Sequence, residues 1–413
     1  MKRTAVINVV GLTGSLIGPA TPNIAHFLGQ GASAAITPVF PAVTCSAQST
    51  YLTGLPPAQH GIVGNGWYDR TLAEVQFWKQ SNHLVQGRKL WEELRELEPG
   101  FTCAKLFWWY NMYSTADWSI TPRPMYPADG RKFFDIHSWP YSIRTEIKRD
   151  LGEFPFATFW GPAAGINSPQ GGPDAASRWI ATSAKWIEEK YSPSLNLIYL
   201  PHLDYNLQRL GPKHPDIAKD LRLIDAIVGE LIEFFQKRMV QVILLSEYGI
   251  TRVDMPIYIN RLLRQKGWLT VKDELGREIL DCGASRVFAV ADHQIAHIYL
   301  NAPSIEAQVR AVLESDPRIE RVLDRKQQAE IGIDHPRAGD LIAIAKENAW
   351  FVYYYWLDDR LAPDFARCVD IHRKPGYDPV ELFLDPKNPL VKLKIAWRLL
   401  QKKLGFRMLM DVI

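Results

Sequence analysis

Cysteine is scarce in this chain of 413 residues. The four present, Cys45, Cys103, Cys282 and Cys368, are spaced too widely and irregularly for a disulfide framework or a zinc–thiolate pattern. Long apolar runs are missing too. No stretch approaches the roughly 20 residues that a membrane-crossing helix needs. Charge of one sign is not concentrated anywhere. The 48 Lys and Arg nearly balance the 45 Asp and Glu, for a net +3. With no basic or acidic run, a nucleic-acid partner is not expected. Internal repeats and low-complexity linkers are absent. The apolar run after Met1-Lys2-Arg3 is about one strand long, contains Asn8 and passes straight into Gly11. A secretory signal would want a longer apolar core and a small-residue cleavage site, so a cytoplasmic location is expected. What remains is 47% hydrophobic, enough for one large α/β domain with an inserted lobe.

Strand and helix patterns alternate along most of the chain. Apolar strands are predicted at 5–10, 195–200, 240–245, 341–345 and 351–356. Helices are predicted at 21–30, 84–97, 173–190 and 214–237. Such alternation predicts an α/β fold, a mainly parallel sheet with helices on both faces. Ligands of such sheets bind at the carboxyl ends of the strands. From about Pro256 to His335 the alternation breaks into a mixed pattern, which suggests a small inserted α+β cap lobe. The expected division is a core of residues 1–255 and 336–413 with a cap of residues 256–335.

The most informative stretch is VFPAVTCSAQSTYLTGLPPAQHGIVGN, residues 39–65. An extended segment ends at Val43, and a short helix is predicted from Cys45 to Leu52, closed by Gly54. Thr44 opens that helix. A hydroxyl there sits among unpaired backbone N–H groups at the positive end of the helix dipole, a place suited to phosphate or to a nucleophilic alkoxide. The commoner job of such a threonine is to cap the helix.

Phe40-Pro41-Ala42-Val43-Thr44, followed by the run from Thr53-Gly54 through His60-Gly61-Ile62 to Asn65, resembles the nucleotide pyrophosphatase/phosphodiesterase family of the alkaline phosphatase superfamily. The likeness extends in weaker form over nearly the whole chain. It implies that Thr44 is the catalytic nucleophile and that Asn65 binds a phosphoryl oxygen. The family's chemistry uses two zinc ions, and this sequence departs from the ligand pattern. Val10 stands where the first strand should end in a metal-binding Asp. In the second motif Asp204 is kept, but Gln208 replaces a His. In the third, Glu247-Tyr248-Gly249 replaces Asp-His-Gly. The late His is present as His372, within Asp370-Ile371-His372-Arg373-Lys374-Pro375-Gly376-Tyr377-Asp378. The resemblance therefore implies at most one divalent ion, zinc or a harder cation, on Asp204 and His372, with Glu247 as ligand or base. An amide oxygen such as that of Gln208 is a poor zinc ligand but a fair one for harder cations. Gln208 and Tyr248 are then expected to face substrate. These substitutions are similar to those of a divergent bacterial branch with degenerate metal ligands. The resemblance to that branch, which travels with prenyltransferase-like and sugar-isomerase-like partners, implies a phosphorylated cyclitol, sugar or prenyl compound as substrate.

Three further features carry chemistry. Asp292, His293 and His297 form the densest donor cluster. If residues 287–300 are one strand, or one helix, both histidines share a face, and either a metal or a plain polar cleft follows. Asp334-His335-Pro336-Arg337 reads as a turn. Residues 107–131 crowd Trp108, Trp109, Tyr110, Tyr113, Trp118 and Tyr126 between polar residues, with Arg123 and Arg131 beside Pro-rich turns. They read either as packed interior or as a ligand wall in which Arg123 binds substrate. Cys45 reads as a buried thiol, since the Cys-x-Pro-x-Arg context of a sulfatase nucleophile is missing.

The tail from Asn388 is basic and amphipathic. It suits either a helix lying on an anionic membrane or one docked on the sheet. Two functions are expected to compete. One is a phosphoryl-transfer hydrolase (phosphodiesterase, pyrophosphatase or phosphatase) acting through Thr44 on a small phosphorylated metabolite or lipid-linked phosphate. The other is a non-catalytic relative that binds such a compound.

Overall fold

The computed structural model describes residues 1–128, 133–159, 172–367, 374–383 and 389–404. His372, Arg131 and Cys368 lie outside them. The described chain groups into two compact units. The first comprises residues 1–60 and 80–250, the second residues 61–79 and 251–413.

The first unit is built on a six-stranded sheet. Its order is Ile136–Trp139, Trp118–Pro122, Cys103–Leu106, Leu195–Leu200, Thr4–Val9 and Gln241–Leu245. All pairings are parallel except the one made by the edge strand Ile136–Trp139. The α/β architecture with a largely parallel sheet is therefore as the sequence predicts. Leu195–Leu200 is buried at every position, as a strand covered on both faces must be. The long helix Ile217–Lys237 turns Ile217, Leu221, Ile224, Val228, Leu231 and Phe235 inward, the three-to-four spacing of one apolar face.

The second unit holds a five-stranded sheet in the order Ile319–Leu323, Leu341–Ala345, Ile295–Leu300, Val287–Asp292 and Gly376–Tyr377. Its pairings are antiparallel except the last. Leu341–Ala345 thus pairs with strands of the expected cap rather than with the six-stranded sheet. The return at residue 336 does not coincide with the observed grouping. The expected strand at 351–356 is only Ala349–Phe351, paired in parallel with Met255–Ile257.

The stretch 287–300 is not one strand. Val287–Asp292 and Ile295–Leu300 form a hairpin, and His293 sits in its turn with φ of 60°. His293 and His297 therefore do not lie along one strand face.

Candidate active site

Four segments bring the site of the first unit together at the carboxyl ends of neighbouring parallel strands. The strand Thr4–Val9 contributes Asn8. Leu195–Leu200 contributes Tyr199 and leads through Pro201 into the helix His202–Leu210, whose first turn carries Asp204. Gln241–Leu245 leads through Ser246 to Glu247 and Tyr248. The helix Thr44–Thr53 supplies Thr44 and Gln48.

Each segment is fixed by local chemistry. The Asp204 helix is anchored by Leu203 and Leu207, packed against Ile217 and Leu221. After the first strand the chain turns at Gly11, with φ of +80°. A Cβ there would stand 2.8 Å from Leu207 Cδ1, the far end of a side chain, so it is mainly the positive φ that favours glycine. The Thr44 helix buries seven of its ten residues. It closes on Gly54, left-handed at φ of 69°, whose N–H donates to the Thr50 carbonyl. Its cap is Val43, which offers no side-chain acceptor. Thr44 is the first helical residue and not the cap, so the capping role expected as its commoner job falls away.

The polar side chains form one network. Thr44 Oγ1 lies 3.4 Å from the Tyr248 hydroxyl, and Tyr248 donates to Asp204 Oδ1 at 3.2 Å. Gln208 Nε2 donates to Asp204 Oδ2 at 2.6 Å. Asn8 Nδ2 and Gln48 Nε2 each donate to Glu247 Oε1 at 2.5 Å. Gln48 is held from behind, because its Oε1 accepts the Trp109 N–H at 2.6 Å. Thr44 also stands close to Glu247 and Tyr199, and its hydroxyl favours the charged form of each.

Charge in this network is compensated by neutral donors. Burial pushes Asp204 up to about 6, opposed by its bonds from Gln208 and Tyr248. Burial likewise pushes Glu247 up to about 7. Bonds from Gln48, Asn8 and Thr44 oppose that rise, and the Asp204 charge adds to it. Burial holds the Tyr199 and Tyr248 phenols well above their usual range, so both remain hydroxyls. A carboxyl poised near neutrality beside a hydroxyl has the form of a general base and its nucleophile.

The residues present do not fit a two-zinc centre. Val10 cannot bind a metal, and Gln208 and Tyr248 replace two imidazoles. They donate to Asp204 where a metal would accept its electrons. Glu247 Oε1 is taken by two amides. Among the described residues no group of three or more His, Cys, Asp or Glu is arranged to hold a metal. Three buried oxygens keep no hydrogen-bond partner: Glu247 Oε2, Asn8 Oδ1 and Gln208 Oε1. An all-oxygen set of that kind suits a ligand's donor group or a harder cation better than zinc.

Of the residues singled out from sequence, Thr44, Asp204, Gln208, Glu247 and Tyr248 come together here. Asn65 belongs to the second unit. There its backbone N–H and side-chain Nδ2 clasp the buried Asp292 at 2.7 and 3.1 Å. His372 lies outside the described residues. Arg123 is exposed at the end of Trp118–Pro122, its Nη1 directed at Met112 Sδ. Trp108, Trp109 and Tyr110 are buried, so this part of the aromatic stretch is interior. His297 is a satisfied core histidine. Its Nδ1 accepts from Gly339 N–H, its Nε2 reaches the Val63 carbonyl, and burial pushes it down to about 4. No ring nitrogen is left for a metal. His335–Ala338 is a turn as expected, closed by the Ala338 N–H on the His335 carbonyl, with His335 Nδ1 accepting from Arg337 N–H. Asn8, Gln48 and Tyr199 were not singled out from sequence. The available signal was a polar side chain in the middle of an otherwise apolar strand, and a glutamine one helical turn after Thr44.

The family model of Type I phosphodiesterase / nucleotide pyrophosphatase matches residues 4–378. The chain belongs to that family. An uncharacterized pyrophosphatase/phosphodiesterase of Schizosaccharomyces pombe is 26% identical over 232 residues, 55% of this chain and 39% of that protein. The match thus spans about two fifths of that relative's length. Phosphonoacetate hydrolase from Sinorhizobium meliloti, solved with phosphonoacetate, superposes with a TM-score of 0.60 at 14% identity, covering 94% of this chain and 92% of its own. Murine ectonucleotide pyrophosphatase/phosphodiesterase 5, an inactive form solved with AMP, gives 0.56 at 16% identity, covering 87% and 82%. These likenesses show the fold.

Proposed function

We propose that the protein hydrolyses a small phosphorylated compound, a phosphodiester or phosphomonoester, through Thr44 as nucleophile and Glu247 as its base. The observation that carries this reading is the placement of Thr44 beside a buried carboxylate, Glu247, pushed up to about 7. Glu247 takes the Thr44 proton as Oγ1 attacks phosphorus. The bond from phosphorus to the leaving oxygen breaks, leaving a phosphothreonine that water then hydrolyses. Asn8 and Gln48 fix the Glu247 carboxylate, so its lone pairs keep one direction. The Tyr248 proton is committed to Asp204, and the Tyr199 hydroxyl beside Thr44 is the neutral donor that can stabilise an oxyanion without adding charge.

The lost family ligands favour a second reading, in which the protein binds the phosphorylated compound without turnover. A panel separates the two: bis(p-nitrophenyl) phosphate, p-nitrophenyl phosphate and a set of sugar and prenyl phosphates. Hydrolysis of at least one, with product release above the uncatalysed rate, is expected. Saturable binding of panel compounds without hydrolysis at any pH from 5 to 9 would sink the catalytic reading.

A further inference from the structure

The C-terminal helix Val391–Lys403 carries five basic residues, Lys392, Lys394, Arg398, Lys402 and Lys403, and no acidic one. The sequence left its apolar face two destinations. Had the helix docked by that face, the face would be covered. Instead Leu393, Trp397, Leu400 and Leu404 are 67%, 59%, 46% and 66% exposed. They are spaced four, three and four residues apart, which places them in one stripe on a helix. Val391 and Ile395, off that stripe, are the half-buried positions.

We infer that this stripe is a docking surface for an anionic membrane. Large apolar side chains standing in water in a continuous row mark an interaction face. The alternative occupant suggested by this spacing is the same helix of a second copy, as in a coiled coil. Two features oppose it. The stripe runs for about two heptads where a stable coiled coil takes three or four. The described positions flanking the stripe are Lys394, Ala396 and Gln401, so paired copies would find no carboxylate there to meet Lys394. From residue 386 to residue 410 the chain holds seven lysines and arginines and no Asp or Glu. That is the charge complement of an anionic lipid surface, with Trp and Leu to enter its interface. No helix of the described residues is long and apolar enough to cross a membrane. This surface stands independently of the chemistry proposed for Thr44.

The test is co-sedimentation of the full chain with large unilamellar vesicles, either of phosphatidylcholine alone or of equal phosphatidylcholine and phosphatidylglycerol. Binding to the anionic vesicles is expected to exceed that to neutral ones by at least about tenfold at low salt and to fall in 0.5 M salt. Leu393→Glu with Trp397→Glu should abolish it while circular dichroism stays unchanged. Lys392→Glu with Lys394→Glu should weaken the anionic preference with the stripe intact. Equal binding to both vesicle types would overturn the proposal, as would no binding by the wild type. A concentration-dependent dimer lost in the Leu393→Glu variant, without vesicle binding, would assign the stripe to a second copy and overturn it as well.

Discussion

Thr44→Ala is expected to abolish hydrolysis of any compound the wild type turns over, by at least about a thousandfold in kcat/KM. The fold should survive. Thr44 is not the helix cap, and alanine is the better helix former at that position. What the substitution removes is a buried hydroxyl and methyl, including the 3.4 Å contact to Tyr248, a cost on the order of 1 kcal/mol. Thr44→Ser should keep part of the turnover. The hydroxyl is the chemical requirement, and the methyl mainly fixes its rotamer. The check is steady-state kinetics beside urea unfolding for the three proteins. Undiminished turnover in Thr44→Ala would move the nucleophile elsewhere.

Glu247→Gln is expected to act on activity and stability in opposite directions. Loss of the base should lower kcat by at least about a hundredfold. Stability should rise, and only at higher pH. The folded protein holds the Glu247 proton up to about 7, against an ordinary value of 4.5. A carboxyl raised on folding favours the folded state fully below its unfolded pKa, and that contribution is lost as pH rises through 7. Above pH 7 the wild type carries a buried charge that glutamine does not. The difference is on the order of 3 kcal/mol at most, since the glutamine must find its own hydrogen bonds beside Asn8 and Gln48. Melting of the variant should occur above that of the wild type at pH 8, with the two converging near pH 4. A variant less stable than the wild type at pH 8 would mean that Glu247 is stabilised as an anion.

Thr44 could be singled out in the sequence because its signal is local. A strand end, Thr44, a short helix and Gly54 follow one another within about a dozen residues. The parallel sheet was legible for the same reason, as apolar runs alternating with amphipathic ones. The partners of Glu247 were not legible. Asn8 lies 239 positions away along the chain and Gln48 lies 199, and buried polar pairs that distant leave no periodicity. The hairpin at His293 was missed because a two-residue turn without glycine or proline interrupts neither the apolar alternation nor the strand propensity. Leu341–Ala345 was assigned to the wrong sheet because its residue pattern fits a strand in either. The C-terminal helix was legible as amphipathic, but which way its stripe faces is fixed by packing and not by its own residues.

The central claim is that hydrogen bonds from Asn8, Gln48, Gln208 and Tyr248 stand where a pair of zinc ions would otherwise bind, and that Thr44 is activated by Glu247. The most direct test is elemental analysis of the purified protein beside its turnover, before and after dialysis against a chelator and on stepwise return of zinc. At most one divalent ion per chain is predicted, with turnover that does not climb with a second equivalent and that Glu247→Gln removes. Two stoichiometric zinc ions per chain, with activity lost on chelation and restored in proportion to the second, would contradict it.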